Sequence, residues 1–328
     1  MLENGVIMKK LLLFSLIFFM LFIEFSYGQS KPIPVNIGTG DKQGSLYPIG
    51  ISIGKILNIN SKLHKLNPNV LETPGDVYNI DKVVSGELML AVVRSDAQFR
   101  AYKGLGEWEG MPQYDLRSII SIAPEYMQLI VSENSKIKTI IDTKGKNINL
   151  GFVGESTYLD SLKILSSYNL DNYTVNFDNT SETIQDIIVK MQDGRLDGFF
   201  ITSIAPLNVI KLLSESTKIR LIDITGVNKL FMQYPQYKIS TLDKQLYPKA
   251  ANLNNIKTIS VMSSLVTSSK TSNYAAYIMA KEIIENIEVL KSLHPAFKNI
   301  NIKDMLQYNT APIHPGAMRY YMDKGLLN

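Results

Sequence analysis

Apolar and polar positions along the chain follow two periods. Short runs such as VNIG (35–38), NVLE (69–72) and LMLAVV (88–93) are continuous and largely aliphatic, as in strands buried on both faces. Small polar loops follow the runs, and then apolar residues recur every three or four positions, as on one face of a helix. A first helix is predicted over 48–57. The second carries Val77, Ile80, Val83 and Val84 on one face, with Thr73 as N-cap, Pro74 at the first helical position, Asp76 in the first turn and Gly86 as its stop. The unit resumes with NINLGF (147–152), the loop VGEST and a helix through Leu159, Leu162 and Leu165. A helix over 183–192, closed by Asp193 and Gly194, leads to LDGFFI (196–201), and 273–291 reads as one long helix. Strand, loop and helix in repetition predict an α/β protein with mainly parallel sheets.

Two apolar segments stand outside the repeat. IISIAPEYMQLIVS (119–132) reads as two strands and TISVMSSLVTS (258–268) as one, and together they predict crossings between two lobes. Open α/β sheets bind ligands at the carboxyl ends of their strands, beside helix N-termini. The loops so placed are 38–47, 73–76, 94–98, 154–157 and 199–206, and a cleft between two lobes gathers all five. Thr73 to Asp76 and Ser156 with Thr157 open helices whose free N–H groups attract a carboxylate. Taken singly each is an ordinary cap; taken as five loops on one rim they point to a site.

The first residues change the picture of where the protein works. Lys9 and Lys10 precede an apolar run from Leu11 to Ile23, and Ser26-Tyr27-Gly28 follow, the pattern of a secretory signal cleaved near Gly28. Thirteen residues fall short of the ~20 a membrane span needs. MKK at Met8 is a more usual opening than MLENGVIMKK, so Met8 is an alternative start. The 328 residues carry 34 Lys and Arg against 30 Asp and Glu, scattered without a basic block, which argues against a nucleic-acid surface. With no cysteine there is no disulfide, thiolate metal site or lipidated cysteine. The expectation is a soluble, exported, periplasmic protein.

Motifs for chemistry are thin. Gly38, Gly40 and Gly44 give G-x-G-x-x-x-G, one residue too long for a dinucleotide loop, and the next acidic residue after Asp41 is Glu72. His64, His294 and His314 lack zinc-type spacing, and the last two precede prolines, where a turn role is favoured. No enzyme, cofactor or metal is expected.

Longer stretches carry a resemblance. IGTGDKQGSLYPIG, ETPGDVYNIDKVVSGEL, RSDAQFRAYKGLGEWEG, LHPAFKNINIKDM and IHPGAMRYYMDKG resemble the TAXI family, the solute-binding subunits of tripartite (TRAP) transporters, from about Val35 to the C-terminus. The resemblance implies a two-lobed periplasmic-binding-protein fold of type II, with signal peptide 1–28, lobe I over 29–122 and 259–328, and lobe II over 123–258. It further implies a monomer that shuts a small carboxylate, glutamate-like or 2-oxoglutarate-like, between its lobes and delivers it to a TRAP-type permease. An orphan sensor or scavenger, or an enzyme on the same fold, are the alternatives.

Carried over position by position, the resemblance places Gly38, Thr39, Gly40, Ser45 and Tyr47 at the ligand, with Leu46 where the family has a second tyrosine. Its STGGS becomes Glu72 to Asp76, retaining Thr73 and Gly75 and substituting Asp76. Its QSD becomes Arg94, Ser95 and Asp96; its PGSGT becomes Val153, Gly154, Glu155, Ser156 and Thr157; Phe199 opens the last loop. The departures Asp41, Asp76, Arg94 and Glu155 alter the pocket. An inward Arg94 offers a fork to a carboxylate, whereas an inward Asp76 or Glu155 repels one or binds an amine. An acidic amino acid reconciles both signs.

Overall fold

Two long strands organise the molecule. In the computed structural model, which describes residues 31–234 and 236–327, β4 (Leu116–Ser132) and β10 (Ile256–Ser268) lie antiparallel near the middle of one ten-stranded sheet. The remaining strands are β1 (Ile33–Gly38), β2 (Leu66–Leu71), β3 (Leu90–Arg94), β5 (Asn147–Asn149), β6 (Asn176–Phe177), β7 (Gly198–Ser203), β8 (Ile219–Ile222) and β9 (Lys238–Leu242). The main path runs β2-β1-β3-β10-β4-β7-β5-β6, with β8 on β4 and β9 on β10. The pairs β1/β3, β5/β6 and β5/β7 are parallel, while β10 is antiparallel to β3, β4 and β9, and β4 to β7 and β8. The sheet is therefore mixed, because both connecting strands run against their neighbours.

The predicted pair of strands at 119–132 is a single strand of 17 residues. Pro124 does not end it, because its register against β10 shifts nearby, between Met262 and Ser264. Both faces of the sheet are covered: Leu129 and Val131 of β4 and Phe200 of β7 join one core with Ile148, Ile164 and Leu165, while Ile130 and Phe199 join another with Ile187, Ile210 and Leu213. Successive side chains point to opposite faces, so these strands read as unbroken apolar runs. At the other end Ile80, Val83, Val93, Ala97 and Trp108 form a third cluster.

The longer helices are α1 (Leu46–Ile59), α2 (Asp76–Ser85), α3 (Ser95–Lys103), α4 (Ser156–Ser167), α5 (Ile184–Gln192), α6 (Asn208–Ser216), α7 (Asn273–Glu285) and, after further short helices, the last one, Pro315–Asp323. Gly86 stops α2 with φ 90°, as predicted from its place after the periodic residues. Two sequence expectations fail locally. Thr73 does not cap α2, whose N-cap is Gly75 at φ 114°; the Thr73 hydroxyl instead donates to the Thr39 carbonyl at 3.0 Å and to Asn79 Oδ1 at 2.7 Å. The long helix predicted over 273–291 is two, α7 and Ile287–Leu293, broken at Asn286, whose side chain donates to the Glu282 carbonyl at 2.8 Å. The signal-peptide segment 1–28 lies outside the described residues. Among those described, no helix is long and apolar enough to cross a membrane.

Candidate functional site

The loops after β1, β2, β3 and β5 and the last residues of β7 meet around a cavity of about 850 Å³. This is where an open α/β sheet exposes strand carbonyl ends and helix N-termini together. Gly40 and Ser45 come from the first loop, Thr73, Gly75 and Asp76 from the second, Arg94 from the end of β3, Gly154, Ser156 and Thr157 from the entry to α4, and Phe199 from β7.

Five predicted contacts are not part of this wall. A Cβ on Gly38 would fall 2.5 Å from Asn79 Oδ1 and 2.6 Å from Leu88 Cδ1, so this glycine serves packing of α2 on β1. Thr39 is fully buried, its hydroxyl donating to the Leu71 carbonyl at 2.7 Å. Tyr47 is half-buried on α1 and outside the lining. Ser95 Oγ accepts from the Met262 N–H at 3.1 Å, tying α3 to β10. Asp96 is buried beneath the floor, where it pairs with two arginines.

Those arginines decide the electrostatics. Arg94, 4% exposed, donates through Nη2 to Asp160 of α4 and holds its Nε 3.3 Å from Asp96 Oδ1. Arg100 donates to Asp96 Oδ2 at 2.7 Å and to Glu107 Oε2 at 3.0 Å, and its Nη2 reaches Ser156 Oγ at 3.3 Å. Ser156 in turn donates to Asp76 Oδ2 at 3.1 Å. Asp160 also accepts from Tyr237 and, at 3.3 Å, from Thr202 Oγ1. The fork that the sequence offered to a solute is thus held by the chain's own carboxylates. Burial alone would raise the Asp96 carboxyl, but Arg94 and Arg100 outweigh it and hold it at about 2.

Glu125 lies in β4, fully buried, and accepts from Ser45 Oγ at 2.7 Å. Burial pushes its carboxyl up to about 8 against the pull of Arg94 and the Ser45 hydrogen bond, so it is protonated at neutral pH. Burial likewise raises Asp76, again opposed by Arg94.

Sequence reading missed Asp160, Arg100, Glu125 and Tyr237. Two carried a signal. Asp160 stands four residues after Ser156, on the same face of α4. Glu125 is the lone charge inside a fourteen-residue apolar run, where an ionisable group needs a reason.

A mixed α/β sheet flanked by helices, with loops converging at its middle, is the type II fold of periplasmic binding proteins. Solved structures similar to the chain share it. PhnD1 from Prochlorococcus marinus, in complex with methylphosphonate, matches with TM-score 0.55 and 10% identity over 90% of this chain and 99% of its own. MatC from Rhodopseudomonas palustris, with bound malate, matches with TM-score 0.57 and 12% identity over 81% and 89%. A structure described for glutathione import via GshT and the cystine ABC importer TcyBC of Streptococcus mutans matches with TM-score 0.53 and 13% identity over 84% and 100%. Such identities establish the fold and no more. Residues 37–325 match the NMT1-like family, and the chain belongs to it.

This family corrects the assignment to the TAXI subunits of TRAP transporters, and with it the expected TRAP-type permease. The physical reason lies in the motifs that seemed most specific. In LHPAF and HPGAMRYY each histidine is an N-cap and each proline the first helical residue: His294 Nδ1 accepts from the Ala296 N–H and His314 Nδ1 from the Gly316 N–H, both at 3.1 Å. The turn role predicted for these histidines is what the structure shows. They build scaffold away from the cavity and say nothing of a transporter.

Proposed function

We propose that the chain is an extracytoplasmic solute-binding protein, with β4 and β10 as the hinge between the two expected lobes. It captures a small molecule in the cavity, hands it unchanged to a membrane transporter, and performs no catalysis. The observation that carries this reading is the 850 Å³ cavity formed where the loops after β1, β2, β3 and β5 meet the last residues of β7. Its size suits a small organic solute. The GshT structure, described with an ABC importer, and membership of the NMT1-like family support a transporter of that class as partner. Export follows from the predicted leader.

Carboxylate specificity receives less support, since Arg94 already faces Asp96 and Asp160. A solute carboxylate would have to displace one of them and leave a buried charge unpaired, at a cost of several kcal/mol.

The test is equilibrium dialysis against pooled small metabolites, with mass spectrometry of what is retained and later released. A ligand at a hundredfold its Kd stabilises the native state by about 2.7 kcal/mol, visible as a raised Tm. Recovery of a chemically altered solute, or of none, refutes the proposal.

A further inference from the structure

The cavity wall is lopsided in charge. Among the described residues lining it, Arg94 is the sole base, and its guanidinium is paired within the protein. Of the lining carboxylates, Glu72 pairs with Lys42 at 2.7 Å and Glu107 with Arg100 at 3.0 Å. Asp41, Asp76, Glu155 and Glu182 line the same cavity and form no ion pair with a described Lys or Arg. They come from four separate loops on both sides of the opening, so no single turn or cap accounts for them. Between them the surface is apolar, with Phe152, Ile184, Phe199 and Ile201.

Resting on the solute-binding reading, we infer that the solute is an organic cation, an amine or quaternary ammonium on an apolar body. The carboxylates supply the counter-charge and the aromatic rings a face on which a cation is attracted. A metal ion does not fit the same groups: among the described residues no three acidic or His side chains come close enough to hold one. An extended organic cation needs no such convergence, because Coulomb attraction falls off only gradually with distance and single carboxylates spread around the opening each contribute. Burial and then Asp76 push the Glu155 carboxyl up to about 7 against the pull of Arg94, with Asp41 adding to the rise, so at this position the acidic neighbours and burial outweigh the one base.

The experiment pairs probes of equal shape and opposite charge: phenethylamine and its trimethylammonium analogue against 3-phenylpropionate, and cadaverine against glutarate. Each is titrated into the whole chain by calorimetry and by thermal shift. The expected result is binding by at least one cation and by neither carboxylate. Glu155→Gln and Asp41→Asn, both outside the ion-paired cluster, should each weaken the bound cation roughly tenfold, which is about 1.4 kcal/mol. Asparagine at 41 can still accept the 2.6 Å hydrogen bond from the Gln43 N–H, so the loop is retained. Binding by a carboxylate and not by its cationic partner overturns the charge inference and leaves the solute-binding reading standing. Cation affinity unchanged in the double variant overturns the inference as well. If no member of either series binds, the inference falls, and dialysis that retains no metabolite then removes the solute-binding reading with it.

Discussion

Glu125→Gln should stabilise the protein, and by an amount that grows with pH. The side chain is fully buried in β4, its one hydrogen bond comes from Ser45, and Oε1 has no partner. In the folded chain the carboxyl titrates at about 8, against 4.5 as its ordinary value. Below about 4.5 both folded and unfolded chains hold the proton and nothing is lost. As pH rises from there, the unfolded chain releases the proton while the folded chain keeps it, so stability falls by about 1.4 kcal/mol per unit until the folded carboxyl ionises near 8. The interval of roughly 3.5 units sets a ceiling of about 5 kcal/mol. Glutamine mimics the protonated acid, still accepts from Ser45, and does not titrate. Urea denaturation of both proteins at pH 5, 7 and 8.5 reads the difference directly, since other titrating groups cancel between them. The stability gap should widen steadily in favour of the glutamine variant. Curves that stay parallel across that range would refute the claim that Glu125 is held neutral by burial.

Other consequences follow from the same contacts. Gly316→Ala places a Cβ 2.2 Å from the Asn273 carbonyl oxygen and 2.8 Å from its Cα, backbone atoms that cannot step aside, and should cost about 1–3 kcal/mol in thermal denaturation. Asp96→Ala leaves Arg94 and Arg100 buried without their shared carboxylate and should cost about 3–5 kcal/mol by urea titration, where an exposed control such as Asp193→Ala changes little. Burial lowers the His314 imidazole, and its Nδ1 must stay unprotonated to cap the final helix. Stability is therefore present above about 6.5 and declines as pH falls below it; in His314→Asn, whose side chain also caps, that part of the acid loss should vanish.

Much of the fold could be read from residues that act locally. The aliphatic runs became strands because both faces of the sheet are covered, and Gly86, Asp193 and Gly194 end helices through backbone conformations set by one or two residues. What failed was settled at a distance. Thr73 looked like a cap, but Thr39 and Asn79, 34 positions before it and 6 after, compete for its hydroxyl. The join of β4 into one strand depends on β10, more than a hundred positions later, offering partners on both sides of Pro124. The loops of the site were legible for a related reason: strand ends beside helix starts follow from chain order alone, and those loops line the cavity. Which side chains face inward did not follow: Gly38, Thr39, Ser95 and Asp96 pack behind the wall, and Tyr47 lies outside the lining.

The sign of the site was the hardest to read, and the reason is instructive. Sequence presents Arg94 beside Asp96 and leaves open whether the guanidinium faces a ligand. Its second partner, Asp160, lies 66 positions away on a different helix and enters from the other end of the sheet. Once that pair forms, the guanidinium of Arg94 is held by the chain's own carboxylates and is not free to fork a solute carboxylate. Asp41, Glu155 and Glu182 form no ion pair with a described Lys or Arg, so the contact that removes the expected carboxylate anchor leaves the rim acidic. Arg100 strengthens the effect by taking the second oxygen of Asp96 beneath the floor and pairing with Glu107 of the lining. Specificity in such a cleft is set by which charges the scaffold neutralises first, and only what it leaves over is available to a solute.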